Sequence, residues 1–323
     1  MANVIIHNET SDKIKNKKTI TKAKVRESLF IASIAVWPLL MFCVFWLGGN
    51  ITRLVLAFQE YDVETMQFQI LPWSRLGENF QRFFNQLSGN AGTGAMFGRS
   101  LICYGIGLLM MIPNLLISFA IYKKVKGSEV FKVIIFAPSI VSGVVWVLVY
   151  RQVIDFVLPS LLQPLGIDMS MSLFIKSDTV FPTLLFYTVW TGLGGGLVLY
   201  TGTFSKVAPE LVEAGKVDGM NTWQEFWYIS LPLAFPVISI GLFTGVVSIF
   251  TIQPSTFTFF GTGAPSETYT FGYYFFSIGY GQSSLPIDYP YAAACSIIFT
   301  AIAAPLAFTI KYVCEKYGPG RED

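Results

Sequence analysis

Charge is what this 323-residue chain lacks most. Asp, Glu, Lys and Arg together make up 13% of it, against 53% hydrophobic residues. A soluble domain carries about 25% charged residues, so an ordinary water-exposed surface is excluded and a membrane protein is implied. Histidine is nearly absent. The single one, His7, lies in a polar tail, which excludes a histidine-based metal or catalytic site inside the apolar segments. The four cysteines, Cys43, Cys103, Cys295 and Cys314, form no C-x-x-C pair and lie in or at the end of apolar runs. They read as buried free thiols, not as a zinc site or a disulfide framework. No G-x-x-x-x-G-K-[ST] sequence occurs. The densest glycine cluster, TGLGGG ending at Gly196, is followed by Leu197, where a phosphate cradle needs lysine.

What is present is a set of long runs free of Asp, Glu, Lys and Arg. They extend over Ser28–Thr52, Ser100–Tyr122, Val133–Tyr150, Thr179–Ser205, Phe226–Ser266 and Tyr289–Ile310. A helix needs about 20 apolar residues to cross a bilayer, so the runs predict an all-α membrane protein with six transmembrane helices. The fifth run is too long for one span, and its helix is expected over about Leu233–Phe257. Pro113-Asn114 in the second run reads as a helix kink with the amide as its partner. Lys and Arg divide sixteen to six between the two sides that six spans create. The richer side holds both termini and the 206–232 connection, which predicts cytoplasmic termini. The resulting layout is a cytoplasmic basic tail over 1–27, a first span over 28–52 and an extracellular connection over 53–96. A five-span core follows over 97–315, then a short cytoplasmic tail over 316–323. No cleavable leader is expected ahead of the Lys-rich tail, which anionic lipid would attract by about 1 kcal/mol per basic residue at the surface. The GNAGTGAMFG stretch reads as a flexible approach to the second span. Residues 259–290 read as an ordered loop or a short interfacial helix.

The 206–232 connection is the one long polar segment between two very apolar ones. Its sequence from Glu213 is EAGKVDGMNTWQEFWYISLPLAFP. Pro209 suits the first turn of a helix. Glu210 and Glu213 favour the positive end of that helix, and Gly219 suits its left-handed termination. Thr222 and Glu225 read as a T-x-x-E capping box that opens a second helix. The first helix is short and mixed in polarity, with Ala214 and Gly215 permitting close approach, as in a helix laid into a groove on another protein.

Glu213, Ala214, Asp218, Gly219, Phe226, Ile229, Leu231 and Pro232 resemble the EAA loop of ABC-importer permeases. Gly77, Asn79 and Phe80, the FAPS sequence from Phe136, and Val189-Trp190 with Gly192 and Gly194 resemble elements of the maltose and glycerol-phosphate type. The likeness extends over roughly residues 29 to 315. Gly215 and Met220 depart from the alanines of the pattern. The resemblance implies a type I ABC-importer permease fold in a bacterial plasma membrane. It implies one half of a heterodimer with a second homologous permease, driven by two ABC ATPase subunits that hold the Mg-ATP, and fed by an extracellular sugar-binding protein. No cofactor, metal or nucleic acid is expected on this chain. Glu213, Ala214, Gly215, Asp218 and Gly219 are the expected ATPase-coupling residues. The substrate pathway is expected at Trp190, Thr191, Gly195, Ser248, Thr251 and Gln253. Trp190 would stack on a sugar, or else serve packing. Thr191, Ser248, Thr251 and Gln253 would offer hydrogen bonds, or, for the hydroxyls, bond back to their own helices. Gly195 would allow close helix packing or line the cavity. The cargo is a sugar or oligosaccharide, with glycerol phosphate or an amino acid as the alternative.

Overall fold

The computed structural model describes residues 22–89, 91–166, 171–253, 255–280 and 285–319; most of the basic tail and the last four residues lie outside it. Six helical segments in it are long and apolar enough to cross a membrane: Leu29–Leu56, Gly92–Tyr122, Gly143–Leu165, Ser177–Phe204, Thr222–Phe260 and Pro286–Tyr317. The chain divides into a unit ending at Val55 and a larger one beginning at Leu56.

The first unit is one long helix: α1 (Lys22–Met41), a π-turn over Phe42–Leu47, and α2 (Gly48–Leu56). Its polar residues are satisfied locally. The Ser33 hydroxyl donates to the Phe30 carbonyl, the Asn50 amide to Trp46 and the Thr52 hydroxyl to Gly48. This back-bonding carries polar side chains through an apolar helix. Cys43 is exposed on it, unlike the buried Cys103 and Cys295.

The second unit opens with a β-hairpin, β1 (Gln59–Asp62) antiparallel to β2 (Gln67–Ile70), registered Gln59 to Ile70 and Asp62 to Gln67. Asp62 closes its turn by accepting bonds from the Thr65 hydroxyl, the Glu64 N–H and the Gln69 amide. Those donors, Thr65 first, hold its carboxyl below the usual aspartate pKa. Helix α3 (Glu78–Gly89) follows. The 53–96 connection is thus largely built of regular structure. The glycine-rich approach to the second span is itself helical, because α4 runs unbroken over Ala91–Tyr122.

The remaining elements are α5 (Ser128–Ile140), α6 (Gly143–Gln152), a π-turn over Val153–Val157, α7 (Leu158–Leu162), α8 (Ser177–Gly192) and α9 (Leu197–Phe204). Then come α10 (Pro209–Val217), α11 (Thr222–Glu225), a π-turn over Phe226–Ser230, α12 (Leu231–Thr251), α13 (Thr256–Phe260), α14 (Phe271–Tyr280) and α15 (Tyr289–Tyr317). Helix α14 is the short helix anticipated in the 259–290 connection. Helix α12 packs against α15 and α4, and α4 packs against α9.

Two span boundaries differ from the charge-free runs. The third apolar helical segment is Gly143–Leu165, beginning after a break at Val141-Ser142, and it includes Arg151 and Asp155. Both charges are compensated by distant residues. The Arg151 guanidinium lies over the rings of Phe174 and Phe260 at 5.5 and 5.6 Å, and Asp155 accepts a bond from the Ser172 hydroxyl. The fifth helix is already helical before Leu233, being continuous from α11 through the π-turn, and it ends at Thr251.

The hairpin and α3 are joined through Asn79, whose amide donates to the carbonyls of Ala57 and Gln59, both at 3.0 Å. Ala57 is fully buried, so no water replaces that donor. Asn79→Leu is expected to cost about 1–3 kcal/mol for the orphaned carbonyl, seen as a lower thermal midpoint of the purified protein and earlier proteolysis between residues 59 and 78.

Candidate functional site

Two places gather the residues singled out from the sequence. The first is the polar connection. Helix α10 starts with Pro209 in its first turn and carries Glu210 there. It ends in a Schellman motif: the Gly219 N–H bonds to the Lys216 carbonyl at 3.1 Å and the Met220 N–H to the Gly215 carbonyl at 2.9 Å. Gly219 has φ +81°, a region that glycine enters without a Cβ penalty. Val212 and Gly215 turn inward and are buried, while Glu213, Ala214, Asp218 and Gly219 are exposed. Leu211, Ala214 and Val217 line the outer face, with Val217 88% exposed. A short helix that keeps apolar side chains in the open between Glu210, Glu213 and Asp218 presents an unfilled contact surface.

The second helix starts one residue earlier than the T-x-x-E reading. Asn221 is its N-cap, and the box is Asn221 with Gln224. The Gln224 N–H donates to the Asn221 side chain at 2.9 Å, and the Asn221 N–H donates back to the Gln224 side chain at 2.8 Å. Asn ranks above Thr as an N-cap. Glu225 is left out of the cap and is buried. Phe226 then wedges between Phe119 and Phe204, at 5.0 and 6.4 Å between ring centroids, in a core completed by Leu115, Tyr200, Ala234 and Ile238.

The two departures from the EAA pattern touch each other. A Cβ on Gly215 would come within 3.3 Å of the Met220 sulfur and of Ile229 Cδ1. The larger residue at 220 packs so close to the smaller one at 215 that an added methyl group there would be tighter than an ordinary contact by a few tenths of an ångström. Gly215→Ala gains up to about 1 kcal/mol of helix propensity but overpacks the contact, whereas adding Met220→Ala relieves it. A thermal-stability double-mutant cycle should therefore give a coupling of about 0.5–3 kcal/mol; simple additivity would show that the two sites are independent.

The second place is an open cavity of about 550 Å³ between α4, α8–α9 and α12, lined by Asn114, Thr188, Gly195, Tyr200, Thr244 and Ser248, among others. The fourth apolar segment breaks beside it. Leu193 is extended, and Gly194 has φ +107° with no room for a Cβ against the Ile135 carbonyl. Asn114 bridges the break. Its amide nitrogen donates to the Gly192 carbonyl at 3.2 Å and to Met110 at 2.9 Å, and its oxygen accepts from the Gly194 N–H at 2.9 Å. The carbonyl that Pro113 leaves without its helical donor is that of Leu109, whereas the local bond of Asn114 is to Met110, so the amide serves the break and not a kink at the proline. Asn114→Leu should orphan the Gly194 N–H at a cost of about 1–3 kcal/mol and leave the Gly192 carbonyl only the long 3.4 Å bond from the Gly195 N–H, with a lower thermal midpoint in detergent. An unchanged midpoint would mean that the break closes without the amide.

Of the residues expected on the pathway, Gly195 and Ser248 line this cavity. Trp190 is instead half-buried in an aromatic cluster, edge-on to Trp146 at 4.9 Å and stacked near Tyr150 at 6.1 Å. The hydroxyls of Thr191, Ser248 and Thr251 bond to carbonyls of their own helices. The Gln253 side-chain oxygen is buried without a partner among the described residues.

Comparison with known proteins places this geometry among transporters. The family model described as "binding-protein-dependent transport system inner membrane component" matches residues 94–315. The multiple sugar-binding transport system permease protein MsmF of Streptococcus mutans is 25% identical over 59% of this chain and 65% of its own length. The probable ABC transporter permease protein YesP of Bacillus subtilis is 27% identical over 80% of this chain and 81% of its own. Among solved structures, a bacterial ABC transporter involved in alginate import has a chain that superposes with a TM-score of 0.74 at 16% identity. That match covers 91% of this chain and 98% of that one, and it establishes the likeness of fold.

Proposed function

The chain belongs to the family of binding-protein-dependent transport inner membrane components, multi-pass proteins of the bacterial plasma membrane, and on that premise we propose that it is the permease subunit of an ABC importer for a sugar or oligosaccharide. It forms half of the translocation pathway, with a second homologous permease as the other half. Two ATPase subunits carry Mg-ATP, and a sugar-binding protein delivers the cargo to the outer face. Both termini and the α10–α11 connection face the cytoplasm, in keeping with the distribution of lysine and arginine.

The observation that carries the reading is the build of α10. Its inner residues Val212 and Gly215 are buried, with Gly215 against Ile229, its end is set by Gly219, and its outer face offers Leu211, Ala214 and Val217 between acidic residues. Glu213, Ala214, Gly215, Asp218 and Gly219 are the proposed coupling element: Glu213 and Asp218 contact the ATPase, Gly215 seats the helix and Gly219 holds the corner. The cavity at Asn114, Gly195 and Ser248 is the proposed sugar path. A mostly apolar wall with two tyrosines, Tyr104 and Tyr200, and a few uncharged polar groups suits a neutral polyhydroxylated cargo.

Proline at position 219 cannot adopt φ +81° and removes the N–H that bonds to Lys216. Gly219→Pro and Glu213→Ala are therefore expected to bring sugar-stimulated ATPase activity down to the basal level, while the complex still co-purifies from the membrane. Normal stimulated turnover in both variants would exclude the coupling role. Recovery of the tagged wild-type chain without a permease partner or an ATPase would exclude the importer reading itself.

A further inference from the structure

Among the described residues, one ion pair is withdrawn from water. Lys123 Nζ lies 2.9 and 2.8 Å from the two carboxylate oxygens of Glu225, with side chains 21% and 7% exposed. The other described pairs are all 30% or more exposed on both sides. Exposed pairs contribute little. A buried pair is seldom more stable than apolar groups of the same shape, yet losing one partner alone is costly because a charge is left stranded. Such a pair joins two elements that must not separate.

Both partners are held rigidly. Lys123 follows the last residue of α4, where a Schellman motif fixes the chain: Lys124, at φ +51°, donates to the Ile121 carbonyl and Val125 to that of Ala120. Glu225 closes α11, which the Asn221–Gln224 box starts and the π-turn continues into α12. Next to the pair, Phe226 is wedged against Phe119 of α4. Nine residues back along α4, about 13 Å by helical rise, Asn114 holds the broken fourth segment at the cavity.

We propose that Lys123 and Glu225 are positioning residues that clamp the α10–α11 connection to α4, so that a push on the connection moves Asn114 and the helix break it holds. The inference rests on the coupling role proposed above. The connection cannot slip past α4 without stranding a buried charge, and α4 runs unbroken between the clamp and the cavity. Displacement therefore passes along one helix to the wall of the sugar path.

The test uses the assembled importer, with its permease partner, ATPase and binding protein, reconstituted in lipid. Sugar moved per ATP hydrolysed is measured together with the yield of assembled complex. Lys123→Met alone should lower the yield, because Glu225 is stranded. Lys123→Met with Glu225→Met removes both charges, so the yield should recover while sugar moved per ATP falls about 2- to 30-fold. A double variant with the wild-type ratio would overturn the clamp and leave the coupling element standing. A double variant that fails to assemble would assign the pair to folding and overturn the clamp as well. A wild-type complex without sugar-stimulated ATPase would overturn the coupling reading and the clamp with it.

Discussion

Backbone groups in an apolar medium must find partners inside the chain, because hydrocarbon offers none. Three helix ends among the described residues show how that constraint is met. Where α8 ends, Asn114 takes up the Gly192 carbonyl and the Gly194 N–H. Where α12 ends, the Ile252 carbonyl accepts the hydroxyl of Thr270, a fully buried residue. Where α14 begins, the Phe271 N–H donates to the hydroxyl of Ser100, also fully buried. The Tyr273 hydroxyl likewise reaches the Gly261 carbonyl. A handful of polar side chains thus substitute for missing helical bonds, and they let the helices break where a cavity or a corner is wanted.

This distribution of duties explains what could be read from the sequence. Five of the six apolar segments follow from runs without charge, because length and hydropathy are local properties. The third does not, because Arg151 and Asp155 are compensated by Phe174, Phe260 and Ser172, residues distant in sequence. The bridging role of Asn114 was hidden for the same reason: its decisive partners lie 78 and 80 positions away. Proximity to Pro113 offers a local reading, but the amide bonds to Met110 and not to Leu109, the carbonyl that the proline frees. At the second loop helix two overlapping signals competed, T-x-x-E and N-x-x-Q, and the residue with the better capping chemistry starts the helix. Only the coordinates could show that Glu225 was then available for Lys123.

The EAA-like connection shows how a pattern can be departed from while its shape is kept. Judged singly, Gly215 weakens a helix and Met220 crowds a turn. Together they fit, since the thioether packs 3.3 Å from where a methyl group on residue 215 would sit, closer than such a group would comfortably allow. Methionine is suited to this because its flexible chain fits irregular gaps. The seating of α10 on the π-turn residue Ile229 is thereby retained with different side chains, and its outer face remains free for contact.

Under the proposed function, the same constraint shapes how the cavity treats its cargo. Thr188, Thr244 and Ser248 line it, and each hydroxyl donates its proton to a carbonyl of its own helix. A hydroxyl so engaged still offers lone pairs, so the wall presents acceptors to a cargo rich in hydroxyl donors. Each contact is weak and none carries charge. A path that must release what it admits needs weak, repeated sites in place of one deep one. Under that proposal tight selection would fall to the protein that delivers the sugar, and the force for movement to the ATPase. For this chain the proposal leaves a change in the shape of a neutral wall, and Asn114, which stands at the break in that wall, is the residue proposed to carry it.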